Sequence, residues 1–180
     1  PLVIKTLAVD LQQDEQAVEQ FQLEDWVSKR LKHENLLQCY THQSEKKYLF
    51  QSYEYLQGET LDRWLHQQKK PLQMEDILPI LQQTALALNA MHRLEMLHQD
   101  VRPENIMVLN VDNTLKVKLI DYGSTAVRGL VEINPKHVNR PLGTLAFMAP
   151  EYFIEHSPSV QSDQFSLAAM AYYLLTKQLP

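Results

Sequence analysis

Asp100, Arg102 and Asn105 stand in one short segment, His98-Gln99-Asp100-Val101-Arg102-Pro103-Glu104-Asn105, which packs an acid, a base and an amide where a single loop can aim them at one point. Either Asp100 or Asn105 alone reads as a turn builder. A second acid follows in Asp121-Tyr122-Gly123, where the glycine would permit backbone angles that other residues resist and let this carboxylate meet the first loop. Asn105 and Asp121 offer hard oxygen atoms suited to magnesium, an ion that keeps several waters and binds phosphates beside one or two protein ligands. The combination calls for a nucleotide. Two further charges point inward. Lys5 shares one side of an alternating run with Val3, Leu7 and Val9, and Glu24 lies on the apolar stripe that carries Phe21 and Val27. A buried charge costs on the order of several kcal/mol unless it finds a partner, so the economical arrangement pairs Lys5 with Glu24. Each taken alone also fits a solvent-facing side chain on a frayed element.

The elements that must position these groups follow from periodicity. Leu2 to Val9 reads as a strand and Gln13 to Lys32 as an amphipathic helix. Leu36 to His42 and Lys47 to Tyr55 read as two strands around the polar turn Gln43 to Lys46. A break at Gln57, Gly58 and Glu59 precedes a mostly helical stretch, Leu61 to His66 and then Met74 to Leu97. Short strands are expected at Ile106 to Leu109 and Leu115 to Ile120, joined by the turn-prone Asn110 to Asn113. Gly123 to Pro150 lacks periodicity and reads as a functional loop, and Ser162 as the N-cap of a closing apolar helix.

Bulk properties narrow the class. A 44% hydrophobic content over 180 residues suits a folded domain or two small lobes. The net charge of -5, without like-charge blocks, argues against a nucleic-acid footprint or a basic membrane-contacting surface. Cys39 is the single cysteine, which excludes disulfide frameworks and cysteine-based zinc sites and suits a reducing, cytoplasmic setting. It reads as a buried core thiol. The longest apolar run, Phe165 to Thr176, falls short of the ~20 residues a membrane span needs.

With these residues in hand, the chain resembles the eukaryotic-type serine/threonine protein kinases. The matching motifs run in the family's order: Val3-Ile4-Lys5; Glu24 ahead of Leu31, His33 and Asn35; His98 to Asn105; Asp121 to Gly123; Gly143 and Thr144 through Ala149-Pro150-Glu151; and Ser162, Asp163, Phe165, Ser166 and Leu167. The resemblance implies an α+β, two-lobed kinase-like fold, with a partial β-rich lobe over residues 1–56 and a partial helical lobe over residues 57–180. It implies ATP with Mg2+, or Mn2+, as cofactors and a protein substrate. Lys5 would hold the α and β phosphates with Glu24 fixing it, while Asn105 and Asp121 would bind the metal. Asp100 would accept or orient the hydroxyl proton, and Arg102 would contact the transferring phosphoryl group. Tyr53 would be the gatekeeper, Glu54 to Leu56 the hinge whose backbone meets adenine, and Met107 part of the adenine floor. Thr144 would mark serine/threonine rather than tyrosine specificity, and Asp163 would brace the catalytic loop.

The departures are informative. No glycine occurs before Gly58, so the family's phosphate-covering glycine loop is expected ahead of Pro1, and its last helices after Pro180. Gln99 replaces the arginine that pairs with activation-loop phosphate, and between Gly123 and Gly143 the hydroxyl side chains are Ser124 and Thr125 alone. Activity is therefore expected without phosphorylation of that loop. Arg102 replaces the usual lysine, Tyr122 the usual phenylalanine, and Ser28 a larger apolar residue. The style is similar to bacterial kinases, some of them fused to a metal-dependent phosphatase domain. A pseudokinase scaffold is the alternative, which the intact set Lys5, Glu24, Asp100, Asn105 and Asp121 disfavours. Small-molecule phosphotransferases are disfavoured by Ala149 to Glu151 and the Asp163 segment. Glu104 hints at basic substrate residues, or is simply an exposed loop acid.

Overall fold

Three antiparallel strands, β1 (Leu2–Thr6), β2 (Cys39–Tyr40) and β3 (Phe50–Glu54), form a sheet in the order β1-β3-β2. The computed structural model describes residues 1–41, 48–129, 145–153 and 158–180. α1 (Glu15–Ser28) packs on this sheet, its first turn capped by the Asp14 carboxylate, which accepts from Gln16 N at 2.9 Å and Ala17 N at 3.2 Å. Both first elements are shorter than their periodicity suggests. Val9 turns out into a 3-10 turn, Val9–Leu11, and stands 84% exposed; Val3 is also exposed, while Lys5 and Leu7 are half-buried, so the expected apolar face is covered only in part. Leu31 is buried beyond the end of α1.

Cys39 is buried and the expected strand around it shrinks to two residues, because Leu36 and Leu37 turn to Leu119: Leu36 bridges it, and Leu37 N donates to its carbonyl at 3.0 Å. A second sheet, in the order β4-β6-β7, joins β4 (Gly58–Thr60), β6 (Ile106–Val111) and β7 (Thr114–Leu119). Asp112 and Asn113 close the β6–β7 hairpin with φ of 50° and 61°, the double left-handed geometry of a two-residue type I′ turn. Asp and Asn tolerate that region better than most residues, so the turn is local chemistry.

The helical part comprises α2 (Leu61–Gln67), α3 (Met74–His92) and α4 (Val160–Thr176). α3 ends at His92, ahead of the expected Leu97; the chain turns at Glu95, φ 57°, and Met96–Leu97 becomes β5, paired with β8 (Ala126–Val127). α4 is capped by Ser159, not Ser162. Ser162 sits in the first turn and accepts from Ser159 N at 2.9 Å, completing a capping box. Ile77, Ile80, Leu88 and Met91 of α3 meet Met170 and Leu174 of α4 and the inner face of β6–β7 in one core. Among the described residues no helix is long and apolar enough to cross a membrane.

Candidate active site

The Lys5 ammonium stands between two carboxylates, 2.6 Å from Glu24 Oε1 and 3.4 Å from Asp121 Oδ1. Strand register sets this up. Lys5 lies opposite Gln51 and Val3 opposite Tyr53, so the side chains of Lys5, Gln51 and Tyr53 share one face of the sheet. Gln51, wholly buried, donates through Nε2 to the Phe21 carbonyl of α1 at 2.8 Å, and Tyr53 OH donates to Gln51 Oε1 at 2.5 Å. From the helix side Gln20 Nε2 donates to the Gly123 carbonyl. α1 is thus tied both to β3, the strand paired with the one that carries Lys5, and to the segment that carries Asp121.

Burial and charge compete at these groups. Burial pushes the Glu24 carboxyl up, and the Lys5 ammonium opposes it without reversing it. Burial likewise works against the Lys5 cation, but Asp121 and Glu24 together hold its pKa above the ordinary lysine value. For Asp121 burial is outweighed by Lys5, the Gly123 amide and His98, so its carboxyl is held below the aspartate range. The asymmetry is physical: one ammonium is shared by two acids, and Glu24 is the more deeply buried of them.

The expected role of Gly123 needs correction. Asp121 itself takes the left-handed backbone, φ 64°, whereas Gly123 lies in a tight space: a Cβ there would lie 3.3 Å from Asp121 Oδ1 and 3.5 Å from Glu24 Oε2, so the two carboxylates would have to give by a few tenths of an ångström. Gly123 N also donates to Asp121 Oδ1 at 3.2 Å.

Asn105 Nδ2 donates to the Asp100 carbonyl at 2.9 Å and to Asp100 Oδ2 at 2.8 Å, which ties amide to acid across the loop. The Asn105 carbonyl accepts Ile120 N at 2.8 Å, one residue before Asp121, and so joins the two segments. Asp163 of α4, 1% exposed, accepts His98 N at 3.0 Å and Gln99 N at 2.9 Å and pairs with His92 Nε2 at 2.7 Å. These bonds hold Gln99 at φ 64°, a conformation that costs a non-glycine residue roughly 1 kcal/mol or more. Arg102 turns to Glu104: Nε donates to Oε2 at 2.8 Å while Nη2 pairs with Oε1.

A cavity of about 390 Å³ opens between the first sheet and the β6–β7 hairpin. Lys5, Glu24 and Asp121 form its charged end; Tyr53, Glu54, Leu56 and Met107 border it elsewhere. Asp100, Arg102 and Asn105 are not in its wall. A larger hollow of about 1150 Å³ touches Glu54 and Leu56 from behind but contains none of Lys5, Glu24, Asp100 or Asp121. Convergent charge, not volume, marks the candidate site.

Sequence reading missed several supports. Glu54 Oε1 takes Lys118 Nζ at 2.6 Å and Gln38 N at 2.8 Å, and Glu54 N donates to the Gln38 carbonyl at 3.0 Å, so that N–H is not open to a base. Gln51 and Gln20 carry no sequence signal beyond being polar residues next to apolar ones. Thr125 is 1% exposed, with its hydroxyl unpartnered among the described residues. Ser28 is buried and donates to the Asp25 carbonyl at 3.1 Å. Gly143 and Thr144 lie outside the described residues.

A family model described as "Protein kinase domain" matches residues 1–180. Serine/threonine-protein kinase PknL of Mycobacterium tuberculosis is 29% identical over all of this chain, which spans 44% of that protein. Serine/threonine-protein kinase PrkC of Bacillus subtilis is 26% identical over 99% of this chain, which spans 27% of it. The chain therefore covers less than half the length of these relatives. The crystal structure of the Mycobacterium tuberculosis PknI kinase domain aligns over 99% of this chain and 65% of that one, with TM-score 0.72 and 23% identity, a likeness of fold. With the arrangement of sheets and helices described above, these matches establish that the chain belongs to the protein kinase domain family.

Proposed function

We propose that this chain is the nucleotide-binding and catalytic part of an ATP-dependent protein kinase that phosphorylates serine or threonine hydroxyls of protein substrates. The observation that carries the reading is the Lys5 ammonium set between Glu24 and Asp121 in the wall of a cavity that Tyr53, Leu56 and Met107 also line. That the relatives PknL and PrkC are serine/threonine-protein kinases supports serine and threonine as acceptors. The donor set fits the implied cofactors. Asn105 uses its Nδ2 on Asp100, which leaves Oδ1 as its free ligand atom, and Asp121 engages Lys5 through Oδ1, which leaves Oδ2. One carboxylate and one amide oxygen beside phosphates suit Mg2+ or Mn2+.

When bound, ATP and its metal ion supply the phosphoryl group and neutralise charge on it. The chain's own residues do the rest. Lys5 holds phosphate oxygens, and Glu24 keeps the ammonium aimed by its 2.6 Å bond. Asp100, oriented by Asn105, accepts the hydroxyl proton of the acceptor. Arg102 offers a fixed cation beside it. Tyr53 limits the depth of the cavity, with Met107 on the side opposite the first sheet and the hinge at Glu54 to Leu56. We place the lobe boundary there, between residues 1–56 and 57–180, and the setting in the cytoplasm. The intact set of five weighs against a scaffold.

The test is phosphate transfer from ATP by the protein carrying the complete domain. Asp100→Asn should lower kcat about 10²- to 10⁴-fold, and Lys5→Met should be similarly inactive. Equal incorporation by the wild type and both variants would reject the mechanism.

A further inference from the structure

Behind the Lys5–Glu24 pair lies a set of buried polar side chains that the reaction outlined above does not use. Gln51 is wholly buried, Tyr53 is 4% exposed, and Ser28 of α1, wholly buried as well, stands beside the Tyr53 hydroxyl. Buried polar groups cost stability unless they are paired, and here they are. Gln51 Nε2 donates to the Phe21 carbonyl at 2.8 Å, and Tyr53 OH donates to Gln51 Oε1 at 2.5 Å. Phe21 stands about one helical turn before Glu24, and both are buried. The two bonds act in series. The oxygen and nitrogen ends of an amide are alike in shape, but only with Nε2 toward Phe21 does Gln51 avoid setting two carbonyl oxygens against each other. The Tyr53 proton selects that orientation, because it needs the amide oxygen on its own side.

We infer that Gln51 and Tyr53 are positioning residues for Glu24: a buried relay, from the Tyr53 hydroxyl through the Gln51 amide to the Phe21 carbonyl, sets α1 at the height at which Glu24 meets Lys5. The inference rests on the kinase reading above and deepens it with two residues that act on the reaction through Glu24. Apolar contact is non-directional and would let α1 slide or turn on the sheet, whereas a bond to one particular helix carbonyl fixes Phe21 and, through a turn of helix, Glu24. The ring of Tyr53 borders the cavity, but its hydroxyl is engaged by Gln51, which does not line that cavity. Glu24 is a second acceptor within reach of the same hydroxyl, so the phenol supports the carboxylate at close range too. Burial pushes the Tyr53 phenol up, and it therefore keeps its proton at neutral pH. On its other side α1 is held by Gln20 to the Gly123 carbonyl, so loss of the relay should loosen the helix without freeing it.

The experiment uses the protein with its complete domain. Tyr53→Phe keeps the ring and removes the hydroxyl, and Gln51→Leu keeps an apolar side chain of similar size and removes the amide. Each is made alone and together with Glu24→Gln. Phosphate transfer from ATP to a degenerate mixture of serine peptides is measured, with amide exchange along Phe21 to Ser28 of α1 and, as reference, along Ile80 to Met91 of α3. Each single variant should lower kcat/KM for ATP about tenfold, the worth of one buried hydrogen bond, and should speed exchange in α1 but not in α3 by about the same factor. In the Glu24→Gln background the same changes should cost less than about twofold in kcat/KM, because the relay acts through the carboxylate already removed. With an active wild type, equal losses in both backgrounds, a change in one measurement without the other, or no change in either would overturn the inference. Should Gln51→Leu fail to fold, Tyr53→Phe decides alone. If wild type transfers no phosphate while the variants still speed exchange in α1, the relay stands and the kinase reading falls.

Discussion

Glu24 and Asp121 share one ammonium, and their opposite displacements set the pH behaviour of the site. The Glu24 carboxyl is raised above its ordinary 4.5, chiefly by burial. Between 4.5 and the raised value the folded chain holds a proton that the unfolded chain has lost, so through Glu24 alone stability rises as pH falls across that window. The same proton removes one of the two carboxylates that hold Lys5, so on the kinase reading transfer should decline there. Asp121 has the reverse sign: its carboxyl is held below 3.8, and its contribution to stability is lost only as pH falls beneath that value. On the kinase reading the acid limb of activity should therefore belong to Glu24. A kcat/KM profile should begin to fall above pH 4.5 without a matching loss in melting temperature, and Glu24→Gln, weak throughout, should lack that limb. A wild-type limb that tracks unfolding would contradict this. The acid–base pairing itself was legible in the sequence, since two inward charges on adjacent elements have one economical solution. The sharing with Asp121 was not, because it depends on a contact between residues 116 positions apart.

At the scale of elements, the loops that carry chemistry are held by close backbone approaches and by buried acceptors. β4 meets β6 at Gly58, where an added Cβ would stand 2.2 Å from the Val108 carbonyl oxygen and 3.1 Å from its carbon. Neither atom belongs to a flexible side chain, so the strands would have to separate. Gly58→Ala should lower stability by roughly 1–3 kcal/mol, read as a drop in the urea midpoint with an unchanged m-value; a shift within error would show that β4 yields freely. The sequence marks Gly58 only as a break, and gives no hint that it is a strand residue. Asp163 is a comparable case. Its place in the first turn of a helix was legible, but its hold on His98 and Gln99 is a tertiary fact. The early end of α3 has the same origin: helical periodicity continued through Leu97, but β5 found β8 as a partner.

Across the whole molecule, the end of β3 is fastened to the β6–β7 hairpin by Glu54 and Lys118, each about one-fifth exposed. Lys118 Nζ also donates to the Leu36 carbonyl at 3.2 Å, so a single ammonium joins the end of β3, the segment after α1 and the second sheet. Lys118→Met should cost about 1.5–3 kcal/mol and speed amide exchange at Tyr55 and Leu56; unaltered exchange there would mean that the pair does not restrain the residues that follow β3. The order of elements, the hairpin turn at Asp112-Asn113 and the segments that carry the chemistry were fixed by local rules, namely periodicity, turn propensity and residue type, which act over a few neighbouring positions. What only the tertiary structure decided was where each charge ends: Lys5 between two acids, Arg102 on Glu104 and away from the cavity wall, Glu54 turned to Lys118. The first and last are settled by competition among partners far apart in sequence for the same few polar groups, and Arg102 by which of several nearby acids it reaches; no local pattern records which partner wins.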